Sequence, residues 1–105
     1  MSSSSDPVPH GAPRDAAEFS GALARVRGEI EAVDREIVAL IGRRATLARE
    51  AGRVKRAAGL PLVDPAREHE VIERMGELAD AVGLPRAELL DLMRRVIDLS
   101  RRAQE

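Results

Sequence analysis

Residues 22–57, ALARVRGEIEAVDREIVALIGRRATLAREAGRVKRA, decide the fold. Apolar side chains recur at Leu23, Val26, Ile30, Val33, Ile37, Leu40, Ile41, Leu47, Ala48, Ala51 and Val54, in steps of three and four. That period belongs to one face of an α-helix. No proline interrupts the run, and Gly28 and Gly42 each cost only about 1 kcal/mol against alanine. A helix of this span is roughly 54 Å long, whereas a compact domain of about 100 residues has a radius of gyration near 13 Å. One protomer cannot cover such a rod, so the apolar stripe asks for a second chain. The expectation is an intertwined helical homodimer.

Outward from this stretch the sequence supplies two shorter helices. Gly59 and Pro61 end the long helix near Ala58. Asp64 followed by Pro65 is a strong helix start, a capping carboxylate with proline at the first helical position. The second helix is expected over 65–82, with Val71, Ile72, Met75, Leu78 and Ala79 inward. Gly83 stops it, and Pro85 opens a third helix reaching Gln104, whose apolar face holds Leu89, Leu92, Met93, Val96, Ile97 and Leu99. No sustained alternation of period two occurs. The fold class is therefore all-α, three helices per protomer with one very long N-terminal helix. Residues 1–19, with four consecutive serines and three prolines, read as a disordered tail before a helical domain at 20–105. Ser20 is the expected N-cap.

Composition narrows the function. Among 105 residues 44% are hydrophobic and 33% charged, with a formal net charge of -1. Such a balance offers no overall field for DNA, RNA or anionic lipid. A single Phe, with no Trp or Tyr, argues against base stacking as a binding mode. Without cysteine there is no disulfide framework or thiolate chemistry. No apolar run is long enough to span a bilayer and no leader pattern appears. The expectation is a cytoplasmic protein with no nucleic-acid or membrane partner.

The polar residues carry the chemistry. Arg44 and Lys55 are eleven positions apart, close to three helical turns, so they share a face about 16 Å apart. Arg27 lies seventeen positions before Arg44, roughly 25 Å away and about 100° around. It cannot easily join the same small site within one protomer, but in an antiparallel dimer it could reach the partner's. Asp64, Arg67 and Glu68 stand at i, i+3 and i+4 on the first turn of the second helix, and Ser100 and Gln104 at i and i+4 on the third. Taken singly, each has an ordinary explanation: Asp64 as a cap, Arg67 with Glu68 as an exposed first-turn pair, Ser100 and Gln104 as a fraying end. His10 and His69 read as surface residues.

Together the set is similar to one family. V-R-x-x-I-x-x-V-D-x-x-I-x-x-L-I-x-x-R at 26–44, A-G-x-x-K at 51–55, P-L-V-D-P-A-R-E at 61–68 and S-x-x-x-Q at 100–104 resemble, in order and spacing, the AroQ-class (all-helical) chorismate mutases. The resemblance covers about three-quarters of the chain. It implies an isomerase of phenylalanine and tyrosine biosynthesis, on the shikimate pathway, converting chorismate to prephenate without cofactor or metal.

It also implies roles. Arg27 looks like the arginine lent across the dimer to one substrate carboxylate, and Arg44 like the one gripping the other. Lys55 and Gln104 look like the pair bonding the ether oxygen of the breaking bond. Glu68, with the backbone near Asp64, resembles the group holding the ring hydroxyl, while Arg67 and Ser100 occupy supporting positions near the carboxylates. Ala51 departs from the valine many relatives carry, which bears on the pocket wall. An isochorismate-pyruvate lyase and a 4-amino-4-deoxychorismate mutase share this scaffold, and Glu68 could serve an amine as readily as a hydroxyl. A non-catalytic helical dimerisation module is the remaining class, and it has no need of Lys55 and Gln104 at these spacings.

Overall fold

The computed structural model describes residues 15–104, with Gln104 entering only through its place in the last helix. Three α-helices follow in order: α1 (Ala16–Ala58), α2 (Pro65–Val82) and α3 (Arg86–Gln104), and no strand occurs among the described residues. The all-α, three-helix expectation is met, with the first helix much the longest.

Two compact units divide the chain, residues 1–38 and 39–105. In the first, the described residues form the N-terminal part of α1. Its start differs from the expected one. Asp15, rather than Ser20, caps the helix: its Oδ1 accepts the Glu18 amide at 2.8 Å, and its carbonyl accepts the Phe19 amide at 2.9 Å. Ser20 lies inside the helix. The physical reason is that a carboxylate beside the helix N-terminus satisfies orphan amides and favours the dipole, and Ala16, Ala17 and Glu18 then propagate the helix readily. Residues 1–14 of the expected tail, and His10 with them, lie outside the described residues.

Along this unit Phe19, Leu23, Val26, Ile30, Val33 and Ile37 repeat at alternating steps of four and three, and all six are exposed, between 40% and 54%. That alternation is the a/d spacing of a helix–helix seam. The opposite side is polar, with Arg25 Nη1 3.4 Å from Glu29 Oε1, an i,i+4 pair worth a few tenths of a kcal/mol.

The second unit holds the C-terminal part of α1 with α2 and α3. Gly59, at φ 69°, ends α1: the Leu60 amide reaches back to the Lys55 carbonyl at 2.8 Å and the Gly59 amide to Arg56 at 3.2 Å. Gly83, at φ 75°, ends α2 in the same way, with the Leu84 amide on the Ala79 carbonyl at 2.9 Å. Both glycines sit where an L side chain would be strained. Asp64 caps α2, accepting the Arg67 amide at 3.1 Å, with Pro65 at the first turn. The short connection at 83–85 turns the chain so that α3 packs on α2. At that corner the Arg86 guanidinium lies over Gly76, where an added Cβ would stand 2.8 Å from Cζ. Arg86 holds Asp80 through Nη2 at 2.8 Å and Nε at 3.4 Å, a bond that raises the guanidinium above its ordinary pKa.

Little of this unit is fully buried: Gly52, Gly76, Ala79 and Ser100. Val71, Ile72, Met75, Leu89, Met93, Val96 and Ile97 are half-buried, as the inward pattern requires. Leu78, Leu92 and Leu99 depart from it, being 50%, 57% and 43% exposed. They belong to the apolar faces by spacing, but the described residues leave them about half open.

Candidate active site

Within the second unit, α1, α2 and α3 together wall a cavity of about 310 Å³, a size suited to a small metabolite. Its apolar floor comes from Leu47, Ala48 and Ala51 of α1, Val71 of α2 and Ile97 of α3. Its polar groups are Arg44 and Lys55 from α1, Asp64, Arg67 and Glu68 from the start of α2, and Ser100 and Arg101 from α3.

Each polar group is placed by local structure. Arg44 and Lys55 share the cavity-facing side of α1, as three turns of separation demands, and both are half-buried. The Lys55 ammonium donates to the Leu62 carbonyl at 2.9 Å, so the 59–64 connection fixes its position. Asp64 uses a carboxylate oxygen as the α2 cap, which brings Arg67 and Glu68 onto the first turn. Ser100 is 2% exposed and its hydroxyl donates to the Val96 carbonyl at 2.9 Å. Its proton is thus engaged within α3. Glu68 Oε1 accepts from Arg101 Nη2, a bond that ties α2 to α3 across the cavity wall.

Six of the eight residues singled out from the sequence therefore converge: Arg44, Lys55, Asp64, Arg67, Glu68 and Ser100. Arg27 belongs to the first unit, is exposed, and is not among the side chains lining the cavity. Gln104 closes α3, and its side chain lies outside the described residues. Arg101 is the functional-site residue that sequence reasoning missed. The signal was present: Arg101 follows Ile97 by four positions and precedes Gln104 by three, so all three share one face of α3. His69 is on the surface as expected, its Nε2 3.5 Å from Glu73 Oε1.

The cavity's charge decides its chemistry. Four cationic side chains, Arg44, Lys55, Arg67 and Arg101, stand against two carboxylates, Asp64 and Glu68. In a partly desolvated pocket such an excess attracts an anion of about two negative charges. Guanidinium forks suit carboxylates in particular.

Residues 26–105 match the family profile of chorismate mutase type II. The chain belongs to that family. Every polar residue of the cavity falls inside the matched span. Among similar proteins, the T-protein of Enterobacter agglomerans is 35% identical over 75 residues, covering 71% of this chain and 20% of the relative. The chorismate mutase of Methanocaldococcus jannaschii is 36% identical over 56 residues, 53% of this chain and 57% of the relative. The intracellular chorismate mutase of Mycobacterium tuberculosis is 42% identical over 53 residues, half of each chain. This type II chorismate mutase family member thus spans about a fifth of the T-protein's length and about half of the two mutases'. No helix among the described residues is long and apolar enough to cross a membrane.

Proposed function

We propose that this chain catalyses the rearrangement of chorismate to prephenate, as a homodimer. The observation that carries the reading is the cavity's excess of two positive charges, supplied by residues that all lie in the family's matched span. Chorismate is a small ring dicarboxylate. Its conversion breaks one carbon–oxygen bond as one carbon–carbon bond forms, so the reaction needs no nucleophile.

What a protein supplies is shape and charge. Holding the substrate folded, in its pseudo-diaxial form, lowers the entropic part of the barrier. Arg44 grips one carboxylate, and Arg67 lends further positive charge beside it. The second carboxylate is taken by Arg27 of another copy. Lys55, held by the Leu62 carbonyl, faces the ether oxygen, where negative charge grows in the transition state. A prearranged donor there is worth on the order of a hundredfold in rate. Gln104 adds a neutral donor to the same oxygen. Glu68 accepts from the ring hydroxyl. Ser100, with its own proton on Val96, serves as a buried spacer beside the carboxylates.

The homodimer is supported by the exposed seam of Phe19, Leu23, Val26, Ile30, Val33 and Ile37, which is the pattern two helices bury together. Arg27 follows Val26 directly and so flanks that seam. A cytoplasmic location goes with the reading, because a relative at 42% identity is named an intracellular chorismate mutase. The test is a parallel assay of chorismate, isochorismate and 4-amino-4-deoxychorismate with the purified protein. Chorismate is expected to be consumed fastest, giving prephenate. Faster loss of isochorismate with release of pyruvate would identify a lyase instead.

A further inference from the structure

Arg101 reaches Glu68 across 33 positions of chain, and both side chains remain partly open to the cavity, at 41% and 38% exposure. A second acid, Asp98, steadies the same guanidinium from one turn earlier on α3, its Oδ1 3.9 Å from Nη1. Glu68 is therefore not a bare negative charge at the cavity wall. Its charge is already matched by a guanidinium, and what it offers a ligand is acceptor lone pairs.

We propose that Arg101 is a specificity-determining residue that makes this cavity take a neutral hydroxyl, and refuse an ammonium group, at the ring position facing Glu68. The inference rests on the reading of the cavity as a chorismate-binding site with Glu68 at the ring substituent. A hydroxyl donates its proton to the free lone pairs of Glu68 and leaves the Arg101 bond intact. An amine on a saturated ring carbon is protonated at neutral pH. Set against the same carboxylate, it stands a few ångströms from the Arg101 guanidinium, and two cations then compete for the Glu68 carboxylate. Coulomb repulsion at that spacing, in a half-exposed site, costs about tenfold to a hundredfold in binding. Glu68 alone would hold either substituent. The added arginine breaks the tie.

The test compares wild type with Arg101→Met, Arg101→Gln and Arg101→Lys, using chorismate and 4-amino-4-deoxychorismate at neutral pH. Thermal melting confirms that each variant is folded, as the half-exposed position of Arg101 leads one to expect. Wild type should favour chorismate in kcat/KM. In Arg101→Met and Arg101→Gln that preference should fall at least about tenfold, chiefly through a lower KM for the amine. Arg101→Lys keeps the charge and should keep the preference within about threefold. A preference unchanged in the neutral variants, or lost equally in Arg101→Lys, overturns the proposal while leaving chorismate turnover in place. A wild type that turns over neither compound removes the mutase reading, and this inference with it.

Discussion

The Lys55 ammonium sits 2.9 Å from the Leu62 carbonyl, donating across the turn that ends α1. One hydrogen bond thus locks the orientation of a cation that the cavity shares with Arg44, Arg67 and Arg101. Long lysine side chains carry much rotamer freedom, and fixing this one in advance lets it meet developing charge without rearrangement.

Replacing Lys55 with alanine should lower kcat by at least about a hundredfold, while the melting temperature shifts by only a few degrees, as loss of one half-buried hydrogen bond implies. Steady-state turnover and a melt on the same sample check both parts. A variant with unchanged kcat would remove Lys55 from the reaction.

Asp64 has a structural duty that precedes any catalytic one. Its carboxylate caps α2 at the Arg67 amide, 3.1 Å away. Asp64→Ala should cost about 1 kcal/mol of stability and also lower activity, because Arg67 and Glu68 ride on the turn it secures. Asp64→Asn keeps the cap and should keep most of both. Chemical denaturation beside turnover separates the two effects.

Gly83 should matter for stability alone. It ends α2 at φ 75° and does not line the cavity. Gly83→Ala should cost roughly 1–2 kcal/mol with kcat/KM unchanged, measured at a temperature where the variant is fully folded.

Arg27 and Arg44 are assigned to different copies for the same site, so two inactive variants should rescue each other. Arg27→Ala and Arg44→Ala should each be severely impaired. After subunit exchange in an equal mixture, activity should recover to about a quarter of wild type, because half the dimers then hold one intact site. A mixture no better than its parts would contradict the shared site.

Much of this was legible in the sequence because it is local. The bounds of α2 follow from Asp64, Pro65 and Gly83, each of which acts within a turn of its own position. The cavity's α1 side follows from the eleven-residue spacing of Arg44 and Lys55. The start of α1 was misread because Asp15 and the alanines after it adjoin a serine- and proline-rich run, and composition hid the cap. Arg101 was passed over because one arginine among sixteen looks like solvated surface, although it shares a face of α3 with Ile97 and Gln104, and its partner Glu68 lies 33 positions away. Leu78, Leu92 and Leu99 show the other limit. Spacing says which residues are apolar together, and only a structure says whether anything covers them.

The central claim is that this cavity carries chorismate to prephenate, and following the reaction by proton NMR with the purified chain tests it most directly. Chorismate signals should be replaced one for one by those of prephenate, with no pyruvate released. Chorismate left unchanged, or pyruvate appearing in step with its loss, would contradict the account.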